Sequence, residues 1–177
     1  MSESEKEKWQ EFYREYFDLT VDFSEIVVPP EKKGFNRIIF IPKDLTLRDI
    51  NRATRKYFEI FYYRLGTLIE RRVRKSYAIR IRDRVEADKE LKNISAVDLK
   101  DKSIKTINLI ERLVYELKYY TETGGRLDVN TDTLCAATCL PVGYPIYVGW
   151  NDNKLQVGWC YPGYAGDDLR ARKVVRK

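Results

Sequence analysis

The 177-residue chain contains no histidine, three cysteines and one methionine. Without histidine it lacks the usual general base near neutral pH, the commonest transition-metal ligand and any Ser/His or Cys/His nucleophile pair. Cys135, Cys139 and Cys160 are odd in number and lack metal-ligand spacing. That argues against a disulfide framework and a zinc site, and for free thiols. No apolar run approaches the ~18 residues of a membrane span, and the start MSESEKEKWQ has no apolar centre of a secretory signal. Gly124-Gly125 has neither the spacing nor the following lysine of a phosphate loop. Together these absences predict a soluble, cytoplasmic protein that is not an enzyme and needs no cofactor or metal.

What is present is aromatic and charged. Thirteen Tyr, seven Phe and three Trp stand in a chain that is 34% charged with a net charge of +6. The charge is uneven, since Thr133 to Trp150 carries no Lys, Arg, Asp or Glu. Arg52 to Arg84, by contrast, holds eleven Lys/Arg against Glu59, Glu70 and Asp83. Read as a helix, that segment is a basic face; it is either a solvated side or an attractor for nucleic acid or an acidic partner.

Periodicity divides the chain. Ser4 and Glu7 have capping-box spacing, and Trp9, Phe12, Tyr13, Tyr16 and Phe17 recur at helical intervals, predicting a helix over residues 5 to 17. Pro29-Pro30 and Gly34 break an extended passage, and Ile38 to Ile41 reads as a buried strand closed by Pro42. Thr46 with Asp49, and Leu45 with Ile50, mark the start of a helix expected to end near Gly66. A second helix is expected from Thr67 to about Ala87. The charged connection that follows, with the glycosylation-type triplet Asn93-Ile94-Ser95, reads as loop. A further helix is expected from about Ser103 to Tyr120, stopped by Gly124-Gly125.

From Arg126 the period shortens to two. RLDVN, DTLCAA, YPIYVGW, KLQVGWC and DLRARKVV read as short strands, with Leu155, Val157 and Trp159 on one side and Gln156, Gly158 and Cys160 on the other. Asp168, Arg170 and Arg172 alternate along the last strand as a structural charged edge. The fold class is therefore α+β, with helices before a terminal antiparallel sheet. An N-terminal helix and extended segment covers 1–36, and the main domain covers 37–177.

The C-terminal third resembles the variable region of proteins diversified by diversity-generating retroelements, whose variable region ends a domain of C-type lectin-like fold. The resemblance lies in TLCAA, the triplets Val148-Gly149-Trp150 and Val157-Gly158-Trp159, Pro162 two positions after Cys160, and the ending DDLRARKVV. It covers about residues 134–175; the strand Arg37 to Lys43 and the helix opening LTLRDIN are a looser likeness. In that family, errors at template adenines turn AAY codons into NNY codons, which cannot encode Lys, Glu, Gln, Met or Trp. The resemblance implies a variable ligand-binding set of Thr138, Cys139, Leu140, Tyr144, Tyr147, Gly149, Gly158, Cys160, Tyr161, Gly163, Tyr164 and Gly166, all of permitted types. Trp150 and Trp159 are then fixed structural aromatics. Trp150-Asn151-Asp152 matches an element of calcium-dependent lectins, but their Glu-Pro-Asn or Gln-Pro-Asp loop is missing, so a hairpin turn is expected instead.

The same positions suit a paratope, because tyrosine offers large contact area with two χ angles to freeze and small neighbours let a partner approach. The partner implied is an unidentified protein or surface ligand. A nucleic-acid-associated protein using residues 52–84 is the alternative.

Overall fold

Helix α1 (Glu3–Phe17) buries Trp9, Phe12, Tyr13 and Phe17, the side chains that recur on one face at three- and four-residue steps. In the computed structural model, which describes residues 3–65 and 72–177, this stripe covers strand β1 (Arg37–Ile41): Tyr13 donates to the Phe40 carbonyl at 2.8 Å, and the Trp9 and Phe40 rings lie 6.2 Å apart. The same hydrophobic core takes in Val148, Leu155 and Val157 near the other end of the chain. Trp9, Phe12, Tyr13, Phe17 and Phe23 of the N-terminal segment thus share one core with the rest of the described chain.

Helix α2 (Leu47–Thr54) begins as the sequence predicts, with Thr46 and Asp49 exchanging side-chain and backbone hydrogen bonds in a capping box. It ends at Thr54, well before Gly66, which lies outside the described residues. The chain then forms β2 (Ile60–Tyr62), parallel to a C-terminal strand. Tyr57, Ile60 and Phe61 suggested one helical face, but Phe58 is buried against Trp150 while Phe61 is exposed, an alternation of strand type.

The helix expected over Thr67 to Ala87 is not formed in its described part. Residues 67–71 lie outside the described residues, and Tyr77–Ile81 is a strand, β3, antiparallel to β1 with Ile39 opposite Ile79. Aromatic and β-branched residues here satisfy a strand buried on both faces, where apolar periodicity is lost. The described part of the basic segment 52–84 is therefore divided between a helix end, two strands and loops, and does not form a single helical face. Arg80 donates to the Pro29 carbonyl and Arg82 pairs with Asp88 at 2.6 Å.

The connection read as loop contains a 3₁₀ turn (Lys89–Leu91) and a short helix, α3 (Ala96–Asp101), whose N-cap Ser95 forms a capping box with Asp98. Helix α4 (Leu109–Thr123) starts later than predicted because Asn108, with Glu111, supplies its cap; Gly124 at φ 68° ends it.

The C-terminal third builds β4 (Asp132–Cys139), β5 (Pro145–Asn151), β6 (Lys154–Trp159) and β7 (Leu169–Ala171). With β2 they form a five-stranded sheet in the order β2-β6-β5-β4-β7, while β1 and β3 form a separate pair. RLDVN is not a strand: Leu127 and Asp128 are buried in the approach to β4. Asp152 (φ 46°) and Asn153 (φ 64°) make the two-residue turn between β5 and β6, the conformation that tight hairpins require. The result is a mixed α+β fold with four α-helices and two sheets among the described residues. None of the described helices is long and apolar enough to cross a membrane.

Candidate ligand-binding face

Alternation along β5 and β6 sorts residues to two faces. Ile146, Val148, Leu155 and Val157 are fully buried in the main core, with Trp150 and Trp159 half-buried at its margin. On the outer face, α3 and the 3₁₀ turn cover only part of the sheet, through a smaller cluster of Leu91, Ile94, Leu99, Leu134, Leu169 and Ala171. Tyr147 and Cys160 edge this cluster. Beyond them the outer face is open, forming two adjoining cavities of about 310 and 410 Å³. Asp132, Tyr147 and Asp168 line both.

Backbone pairing creates this juxtaposition. β4 and β7 run parallel, and the Asp132 amide donates to the Asp168 carbonyl at 2.9 Å, setting the two residues side by side. Tyr147 stands opposite Gly158 across the β5–β6 ladder, and its hydroxyl accepts from the Gln156 amide at 3.4 Å. The segment after β6 is held by Cys160 N–H to Pro145 C=O and Val97 N–H to Pro162 C=O, both 3.1 Å. It carries Tyr161 and Tyr164, which are 64% and 49% exposed.

Tyr144 stacks on Trp159 with ring centroids 5.2 Å apart, and Tyr161 meets Tyr144 edge-on at 5.3 Å. An aromatic ridge thus runs from the β4–β5 turn to the cavity rim.

The nominated positions fall into distinct environments. Cys139, Tyr161, Gly163 and Tyr164 are exposed; Tyr144, Tyr147, Cys160 and Gly166 are half-buried. Thr138 and Leu140 are buried, against the expectation of a free surface: the Thr138 hydroxyl accepts the first amide of α4, from Leu109, at 3.0 Å. Gly149 and Gly158 are also buried. A Cβ at Gly149 would lie 1.6 Å from Asp132 Oδ1, and one at Gly158 would lie 2.6 Å from the Tyr147 ring. Exchange there requires the overlying side chain to move.

The two tryptophans are margin rather than centre. Trp150 packs edge-on to Phe58 at 5.5 Å, under the Arg126 guanidinium at 4.2 Å.

Asp132 and Asp168 were not among the nominated residues, and Asp168 belongs to the cavity rim rather than to a structural edge. The available signal was the strand alternation that places Asp132 with Leu134 and Ala136. Burial, then the neighbouring charges of Asp168 and Asp128, push the Asp132 carboxyl up to about 6. Burial pushes the Cys160 thiol up to about 11, which leaves it a poor nucleophile.

Beneath the face lies a buried ionic cluster. Arg112 pairs with Glu116 at 2.6 Å and with Asp128 at 2.8 Å, and Arg172 pairs with Asp128 at 2.6 Å. Burial alone would raise the Asp128 carboxyl, but Arg172 and Arg112 outweigh it and hold the group below its ordinary value. Arg172 also donates to the carbonyls of Arg84 and Val85, so it is a buried clasp rather than part of a surface edge.

No protein family, curated protein or solved structure matches this chain.

Proposed function

We propose that this protein is a non-enzymatic ligand-binding protein of C-type lectin-like fold, whose C-terminal face is diversified by retroelement-driven adenine mutagenesis. The partner is a protein or surface ligand, held by tyrosine anchors and shape fit without a cofactor. The observation that carries this reading is the division of labour across β5 and β6. Their inner residues fill the core, whereas Tyr147, Cys160, Tyr161 and Tyr164 gather around an open outer cavity. Exposed tyrosines beside small residues supply contact area at low entropic cost. Thr138, Leu140, Gly149 and Gly158 narrow the set of positions that can vary freely.

The test lies in the neighbouring DNA. A near-copy of the coding sequence for residues 134–175, differing only where the copy has adenine and lying beside a reverse-transcriptase gene, is the expected finding. A genome with no such copy overturns the diversification.

A further inference from the structure

We infer that the cleft between Asp132 and Asp168 receives the guanidinium or ammonium group of an arginine or lysine on a protein partner, with the surrounding tyrosine rings closing on the cation. This rests on the binding-face reading and gives that face a charge preference.

Charge complementarity carries the argument. The buried carboxylates Asp88, Glu111, Glu116 and Asp128 each have a cation at 2.6 Å, from Arg82, Arg176, Arg112 and Arg172 respectively, whereas Asp132 is half-buried and Asp168 is exposed at the cavity rim. Asp132 and Asp168 have no such partner among the described residues, in a chain whose net charge is +6. Strand pairing nevertheless sets these two acidic residues side by side, where the Asp168 charge acts on the Asp132 carboxyl. An incoming cation relieves that repulsion; Arg112 acts on Asp132 only without contact, its guanidinium being paired with Glu116 and Asp128.

The walls of the cleft point the same way. The 410 Å³ cavity presents the two carboxylates together with Tyr147, Tyr161 and Tyr164. Aromatic faces attract a cation most strongly where water is partly excluded, and the volume lies within the range of small-group sites. Neither aspartate is among the positions assigned to diversification. The tyrosines can therefore alter shape from one variant to another while the acid pair keeps the same preference for positive charge.

The experiment is a titration of the ¹⁵N-labelled full chain, followed by two-dimensional NMR, with Nα-acetyl-arginine amide and with its uncharged counterpart Nα-acetyl-citrulline amide. The arginine derivative is expected to shift the amides of Tyr147, Gly158 and Leu169, while the citrulline derivative leaves them in place. The double substitution Asp132→Asn/Asp168→Asn is expected to abolish the response while the remaining resonances stay dispersed. If the double variant does not fold, each single substitution is expected to weaken the response severalfold. Equal shifts with citrulline, a response unchanged by the substitutions, or no response at tens of millimolar arginine derivative overturns the inference. A missing DNA template would overturn the diversification alone, so the two failures are distinguishable.

Discussion

The ring of Tyr147 occupies the space above Gly158, its partner across the β5–β6 ladder: a Cβ at position 158 would lie 2.6 Å from both Cζ and Oη of the tyrosine. The glycine is thus a seat for one side chain rather than an open position. Gly158→Ala is expected to cost about 1–3 kcal/mol by overpacking. In a Tyr147→Ser background the same change should cost less than about 0.5 kcal/mol. A double-mutant cycle in urea checks this; a full cost that persists without the tyrosine contradicts the contact.

Tyr161 and Tyr164 are expected to behave oppositely. Both are largely exposed, so changing both to serine should alter unfolding free energy by no more than about 0.5 kcal/mol. A large drop in denaturation midpoint would show that they hold the fold.

Asp132 makes stability depend on pH in the direction opposite to most paired acids. Its carboxyl is raised in the folded state from the ordinary 3.8 to about 6, so between those values the folded chain keeps a proton that the unfolded chain has released. Its contribution to stability therefore declines as pH rises through that window and stays low above it. Asp132→Asn should be more stable than the parent near pH 7.5, with solvent screening limiting the gain to on the order of 1 kcal/mol. That advantage should vanish as pH falls below about 4. Thermal melts across the range measure it, and a pH-independent difference would contradict the assignment.

Arg172 should be among the most sensitive positions. Arg172→Met leaves Asp128 with one fewer cation in the interior and two backbone carbonyls without their donor. The expected cost is about 3–5 kcal/mol. Adding Asp128→Asn should restore part of it, as read from urea midpoints. A mild effect would mean that the pair contributes little.

The sequence was most legible where one face is buried and a cap is written in local residues. The aromatic stripe of α1, the Thr46–Asp49 cap of α2 and the alternation of β5 and β6 all meet that condition. It misled where aromatics at three-residue steps coincide with strand alternation, as in the run from Tyr57 to Tyr62. It also misled where both faces of a strand are buried, as in β3, whose last four residues are all buried. Helix α3 carried its own signal, Ser95 followed three residues later by Asp98, but only six residues of helix follow and their apolar pattern is too short to notice. The acid pair was hidden for a different reason. Asp132 and Asp168 are far apart in sequence and meet only because β7 returns parallel to β4, a pairing no local pattern encodes.

The clasp at Arg172 has a bearing on how the gene tolerates error. It lies downstream of every position nominated for diversification, and its partners, the buried Asp128 and the carbonyls of Arg84 and Val85, lie upstream of them all. A slip of reading frame anywhere in between would replace it and leave Asp128 short of a cation, so an out-of-frame product is expected to lose this part of the interior.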